Sequence, residues 1–283
     1  MNYDTLLVDG PYLAHRSYDA PYKLTTSNGR DATMIHSFIR SLNSFRKKFK
    51  PNQIIVAWES PGTPSWRRKQ YPAYKGTRDK LDSQYIYQLN DLQKLLHLLN
   101  VNQYNSPTNE ADDVIANLTV GEAMDFNNVL IFSSDKDLMQ LVDIYCHMYN
   151  GKQLYTVDDV KEKFGVLPKY LPDLLAITGD KSDNIEGIEG FGNKKAAKLV
   201  NEECHVEEID FGSCSTNIVW SEQLKKKILN NKYLIMLNYD CKLERIPKYR
   251  VNESLISILN KYELNSIKNK IEEYKLMGNR GER

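Results

Sequence analysis

Nine carboxylates stand at five separate stations in this sequence: Asp9; Glu59; Glu110, Asp112 and Asp113; Asp135 and Asp137; Asp180 and Asp183. Carboxylates brought together repel one another and raise each other's pKa values unless cations neutralise them. A buried gathering of these acids implies a hard divalent cation, with Mg²⁺ favoured by a ligand set made only of oxygen. Paired metals held by carboxylates are the apparatus for in-line attack of water on a phosphodiester. Each station has a plainer reading as well. Glu110, Asp112 and Asp113 suit the first turn of a helix, where they cap it and complement its dipole. Asp135 with Asp137, and Asp180 with Asp183, suit turns, and Asp9-Gly10 is a common turn pair. The joint pattern tips the balance toward metal chemistry.

Cations gather elsewhere. The 38 basic and 37 acidic residues leave a net charge of +1, which gives no basic footprint for nucleic acid on average. Between Pro64 and Lys80, however, stand Arg67, Arg68, Lys69, Lys75, Arg78 and Lys80 against the single acid Asp79. Trp66, Tyr71 and Tyr74 interleave with them. That alternation suits a single-strand path, with bases stacked on rings and phosphates meeting cations; a solvated basic loop is the rival reading. Further on, Gly187, Gly190 and Gly192 allow backbone to approach a ligand closely. The helix signalled after them would offer free N–H groups to a phosphate, beside Lys194, Lys195 and Lys198. There the rival is a simple turn between helices. The histidines (His15, His36, His97, His147, His205) show no metal-ligand spacing, and Arg16 and Arg40 read as surface charges.

The elements that must position these groups are legible in the apolar pattern. Thr5–Val8, Ile54–Ala57 and Val129–Phe132 read as buried strands, so that Asp9, Glu59 and Asp135 follow strand ends. Ile35, Phe38, Ile39, Leu42 and Phe45 mark a helix from about Ala32 to Phe49. Leu89, Leu92, Leu95, Leu96 and Leu99 mark another, and Asn109 through Asp113 open a third. Apolar strands alternating with helices predict an α/β fold with a mostly parallel sheet, whose ligand sites lie at the carboxyl ends of the strands. From about Val157 the pattern turns helical. With 41% hydrophobic and 27% charged residues, disorder and low complexity are excluded. No apolar run reaches the ~20 residues of a membrane span, and the start carries no secretory signal. Cys146, Cys204, Cys214 and Cys241 are scattered, as in a cytoplasmic protein with reduced thiols.

The ordered series Val8-Asp9-Gly10, Glu110-Ala111-Asp112-Asp113, Ser134-Asp135-Lys136-Asp137, Gly179-Asp180-Lys181-Ser182-Asp183-Asn184 and Gly187-Ile188-Glu189-Gly190-Phe191-Gly192 resembles the flap endonuclease (5′-3′ exonuclease) family. The resemblance runs from about residue 4 to about residue 240. That family includes the N-terminal nuclease domain of bacterial DNA polymerase I and freestanding phage enzymes, and this chain is similar to a freestanding member. The resemblance implies a PIN-like nuclease core over 1–156, with a basic helical arch at about 62–85. It implies a helical region over 157–275, with a helix-hairpin-helix at about 184–200, and a tail at 276–283. By position, Asp9, Glu59, Glu110 and Asp112 match the family's first metal cluster, and Asp135, Asp137 and Asp183 the second. Asp113 and Asp180 match further acids that act through water. Glu59 departs from the family, which has Asp there.

The same resemblance makes Lys75 and Arg78 the catalytic cations facing the scissile phosphate and Tyr74 a base-stacking ring. Arg67 and Arg68 fall among the nucleic-acid contacts, and Gly187, Gly190, Gly192, Lys194 and Lys195 grip the duplex backbone, with a K⁺ ion held by main-chain carbonyls. The implied activity is that of a metal-dependent 5′ nuclease acting in replication or repair. It would use two or more Mg²⁺ ions, with Mn²⁺ as a substitute, on DNA bearing a 5′ flap or 5′ end and on RNA–DNA hybrids. A cytoplasmic monomer with no membrane association is the expected state, in a bacterial or phage-infected cell. A structure-specific nucleic-acid-binding protein of the same fold without catalysis is the alternative, favoured only by the Glu59 exchange. An unrelated α/β phosphatase would explain the strand-end acids but not the basic segment or the glycine loop.

Overall fold

A computed structural model of the chain describes residues 3–60, 65–77, 81–120, 128–203, 205–208, 221–247 and 252–275. Its first half alternates strands and helices: β1 (Thr5–Asp9), α1 (Gly10–Tyr18), α2 (Thr33–Phe49), β2 (Gln53–Glu59), α3 (Trp66–Gln70), α4 (Ser83–Leu98), β3 (Asn102–Ser106), α5 (Ala111–Val120), β4 (Val129–Phe132) and β5 (Cys146–Tyr149). β1 pairs in parallel with β2 on one side and β4 on the other, and β3 and β5 extend the two wings. The chain therefore winds outward in both directions from β1, and the crevice between β1 and β4 is the point where such sheets bind ligands. The strands and helices expected from the apolar pattern are all present. β3 is an addition: Asn-Gln-Tyr-Asn-Ser carries no apolar signature, and it enters the sheet through pairing with β2 alone on that side.

Because side chains alternate across a strand, the central sheet separates two cores. Leu6, Val8, Ile54, Val56 and Trp58 face α2 and α4, while Leu7, Ile55, Ala57 and Ile131 face α5 and the helices that follow. Both strand faces are covered, which is why the strands read as continuous apolar runs.

The chain continues through β6 (Leu154–Tyr155), α6 (Val157–Phe164) and α7 (Leu171–Thr178), then a tight hairpin of β7 (Gly179–Asp180) with β8 (Ile185–Glu186). After the glycine turn come α8 (Asn193–Glu203) and α9 (Glu222–Ile235). Gly187 is obligatory in this hairpin: a Cβ there would stand 2.1 Å from the Thr178 carbonyl oxygen and 2.7 Å from the Gly179 nitrogen, both backbone atoms that cannot rotate away. A two-residue strand β9 (Glu244–Arg245) then closes the sheet beyond β3, antiparallel to it. Finally α10 (Leu255–Lys261), α11 (Asn265–Lys268) and α12 (Ile271–Lys275) return to the first core, inserting Ile258, Leu259, Tyr262, Ile267 and Tyr274. Asp91 on α4 ties them down, accepting from Lys261 Nζ at 2.6 Å and the Tyr262 hydroxyl at 2.8 Å.

Among the described residues no helix is long and apolar enough to cross a membrane. Cys146 and Cys241 are buried free thiols; Cys204 and Cys214 lie outside the described residues, as does the 276–283 tail. Of the segment expected to form the arch, positions 62–64 and 78–80 also lie outside them, and Arg78 with them.

Candidate active site

The strand ends deliver the acids as the pattern predicts. Asp9 closes β1 and caps α1, accepting the Tyr12 N–H at 3.0 Å, while the Ser133 hydroxyl after β4 donates to its other oxygen at 2.6 Å. Burial pushes the Asp9 carboxyl up to about 6, and the charges of Asp135 and Glu59 add to the effect. Glu59 is exposed at the rim, near enough for its charge to be felt at Asp9. Burial, then Asp135 and Asp9, push Asp112 well above the usual carboxylate range. Asp137 is pushed up in the same direction by burial, then by Asp135, Asp180 and Asp183. Asp180 and Asp183 arrive on the β7–β8 hairpin, and oxygens of Asp137, Asp180 and Asp183 lie within 4.8 Å of one another.

Cations and donors stand among these acids. Lys75 is 8% exposed; its ammonium is 2.8 Å from Glu110 Oε2 and 3.9 Å from Asp183 Oδ2. Its backbone sits at φ +50°, in the left-handed region costly for a residue with a Cβ, held by its N–H to the Asp183 carbonyl at 3.1 Å. Burial opposes ionisation of Glu110, yet Lys75 and Arg67 outweigh it and hold that carboxyl below its ordinary range. Lys136 reaches Asp180 Oδ1 at 3.0 Å. With Ser182 it keeps Asp180 ionised below the usual range against the effect of burial. Lys136 and Ser133 were not singled out from the sequence. Their only signal there is position, interleaved with the acids of Ser133-Ser134-Asp135-Lys136-Asp137.

The structure corrects three expectations. Arg67 is no nucleic-acid contact: it is 2% exposed, and its guanidinium makes a two-pronged pair with Asp113, both contacts at 2.7 Å. Asp113 is no metal ligand: it is 0% exposed, and its two oxygens already accept from Arg67, Trp66, Glu110 N–H and Asn238 N–H. That set exhausts a carboxylate's acceptor sites. Tyr74 stacks on nothing outside the protein: it is 3% exposed, with its hydroxyl 3.0 Å from Glu110 Oε2 and 2.8 Å from Asp183 Oδ2. Arg68 is exposed and donates to the carbonyls of Tyr74 and Lys75. Lys194 and Lys195 are exposed at the start of α8, beside Gly190 and Gly192.

The donor set fits divalent metal. A hydroxyl has one hydrogen, so Tyr74 serves only one of its two carboxylate contacts at a time. Asp137 Oδ1 is buried with no hydrogen-bond partner among the described residues, and a buried acceptor left unmade costs about 1–3 kcal/mol. Cations within the cluster would relieve both. A second acid–histidine group, Asp173, His205 and Glu207, is filled otherwise: Lys232 Nζ stands 2.7 Å from Asp173 and 2.6 Å from Glu207.

Residues 4–165 match the 5′-3′ exonuclease N-terminal resolvase-like domain, and residues 166–254 match the 5′-3′ exonuclease C-terminal SAM fold. The 5′-3′ exonuclease of Mycoplasmopsis pulmonis is 34% identical over 273 residues, which cover 91% of this chain and 90% of that protein. That of Aquifex aeolicus is 37% identical over 205 residues, 72% of this chain and 71% of that one. Among solved structures, a bacteriophage T5 flap endonuclease in complex with DNA and metal ions superposes with a TM-score of 0.65. The match covers 96% of this chain and 98% of that chain. At 21% identity this is a likeness of fold.

Proposed function

The chain belongs to the 5′-3′ exonuclease family and is a nuclease, and from that premise we propose that it hydrolyses DNA at 5′ ends and 5′ flaps with Mg²⁺, Mn²⁺ serving in its place. One observation supports the site assignment: Asp137, Asp180 and Asp183 close to within 4.8 Å of one another, Lys75 meets Asp183 and Glu110, and Asp137 Oδ1 is buried with no hydrogen-bond partner among the described residues. Asp9, Glu110 and Asp112, with Glu59 at the rim, would hold one cation; Asp135, Asp137 and Asp183, with Asp180 beside them, would hold another. Bound cations would neutralise the phosphodiester and lower the pKa of the attacking water.

The rest is done by the chain's own groups. Ser133 and the start of α1 fix the Asp9 carboxylate between two donors. Tyr74 lies between Glu110 and Asp183 and donates to one of them at a time. Lys75, free to leave Glu110 once that carboxylate is neutralised, would meet charge developing on the scissile phosphate, where one well-placed group contributes about 3 kcal/mol; Arg78 would assist. Gly190, Gly192, Lys194 and Lys195 would seat duplex backbone at the start of α8, and main-chain carbonyls of that turn would hold a K⁺ ion that adds positive charge there.

A 5′-labelled flap duplex, run beside a small aryl phosphate, tests the reading. The wild-type chain should cleave only the duplex, and only with divalent metal. Asp135→Asn should lose orders of magnitude in rate while binding the duplex normally in Ca²⁺. Loss of binding in step with activity, in a folded variant, would remove Asp135 from the metal site.

A further inference from the structure

Arg67 and Asp113 stand outside both the candidate metal set and the DNA-facing surface, yet their bonds converge from three parts of the fold. Arg67 lies on α3, which leads directly into Tyr74 and Lys75. Its Nη1 and Nη2 clasp Asp113, its Nε donates to the Leu234 carbonyl at 2.7 Å, and Nη2 donates to the Met236 carbonyl at 2.8 Å. Those carbonyls end α9, where helix acceptors have no partner of their own. Asp113 reaches back to the Glu110 N–H at 3.3 Å and out to the Asn238 N–H at 2.9 Å. Arg67 Nη1 itself stands 3.7 Å from Glu110 Oε2. At the other side of α9, Asn231 donates to the carbonyls of Ala176 and Glu186, and Lys227 to that of Gly187. α9 therefore carries the hairpin that bears Asp180 and Asp183.

We infer that the Arg67–Asp113 pair is a positioning clamp. It sets the carboxylates of Glu110 and Asp112 in register with Lys75 on one side and with the hairpin acids, carried on α9, on the other. The planar guanidinium suits this because its five donors have fixed directions; a lysine keeps the charge but not the fork. Stability alone does not call for such a pair, since buried ion pairs are often replaced by apolar side chains without loss. Geometry does. Residues that orient metal ligands change metal affinity or activity by about 10–100-fold when altered.

The inference rests on the nuclease reading, so its test uses the full chain with a second readout that needs no cleavage. Arg67→Lys should slow single-turnover cleavage of a saturating flap duplex by about 10–100-fold and weaken Mn²⁺ binding, measured by calorimetry without DNA, to a similar degree. Duplex affinity in Ca²⁺ should stay within about twofold of wild type on the same reasoning, because Arg67 touches no DNA-facing surface. Leu259→Ala, a cavity in the opposite core on α10, supplies a destabilised control that should cleave at the normal rate well below its Tm. Should Arg67→Lys fold poorly, the paired variant Arg67→Met with Asp113→Leu replaces the clamp by packing. It should fold and still bind Mn²⁺ weakly.

Normal rate and Mn²⁺ affinity in either folded variant would overturn the clamp. So would an equal loss in Leu259→Ala, or a fall in duplex affinity that accounts for the lost rate. If the wild-type chain cleaves nothing, the nuclease reading fails instead, and the Mn²⁺ affinities still decide whether the pair positions the acids.

Discussion

Replacing Lys75 by Met removes the cation from the middle of the acid cluster while keeping most of its apolar stem. At 2.8 Å from Glu110 and 3.9 Å from Asp183, an effective dielectric of about 20 gives attractions of roughly 6 and 4 kcal/mol. The desolvation of a buried ammonium offsets several kcal/mol of that sum. What remains after removal is two carboxylates facing each other across the single proton of Tyr74, and breaking a buried pair in this way costs about 3–5 kcal/mol. At about 2–4 °C per kcal/mol for a chain of this size class, the metal-free variant should melt roughly 6–12 °C lower, taking the smaller cost. A divalent cation supplies the missing charge. A ligand present at about a hundred times its Kd stabilises by about 2.7 kcal/mol, so saturating Ca²⁺ should return most of the deficit and raise the variant's Tm more than the wild type's.

The pH dependence has a definite sign. In the wild type Glu110 is held below its ordinary pKa by Lys75 and Arg67. Its contribution is complete above about 4, the unfolded value, and is lost as pH falls through the depressed folded value. The gap between wild type and variant should therefore close in acid. Calorimetric scans in EDTA and in Ca²⁺, at neutral pH and at a series of pH values falling below 4, measure all of this. Equal melting of the two proteins in EDTA, or a deficit that Ca²⁺ leaves untouched, would refute the assignment of Lys75 as counter-ion to the cluster.

Two further outcomes are expected. Replacing Lys194 and Lys195 together by Ala should weaken duplex binding alike on all sequences and make the slope of log affinity against log salt shallower by nearly two units; an unchanged slope means that neither meets a phosphate. Asp91→Asn should lower the urea midpoint at neutral pH. Burial opposes ionisation of Asp91, but hydrogen bonds from Lys261, Tyr262 and Lys94 hold its pKa below the usual range. Its stabilisation is present above about 4 and lost as pH falls through the depressed folded value, so the difference between wild type and variant should shrink as the medium is acidified below 4. A constant difference across that range would show that the ion pairs contribute nothing.

The order of the acids, their places after strand ends and the doubly covered sheet were legible in the sequence, because they depend on local patterns. Apolar runs of the right length make buried strands, and the residue after a parallel strand's carboxyl end has few places to go but the ligand edge. Gly187 was legible as a glycine needed for close approach, although what approaches is the backbone at Thr178 and Gly179. β3 was not legible, since it is held by backbone pairing with β2 and by polar contacts such as those of Gln103 with Trp58 and the Gln93 carbonyl, none of which leaves an apolar signature. Nor could the sequence distinguish Arg67 from Arg68, or show that Asp113, unlike Asp112, is spent on an arginine. Each pair is adjacent in the chain, and in each one member is turned inward to saturate the other's neighbour while the second faces the cluster or solvent. Which cation meets a carboxylate of its own chain, and which remains for a phosphate, is decided by contacts between residues 46 positions apart. Only packing of α3, α5 and α9 against one another sets those distances.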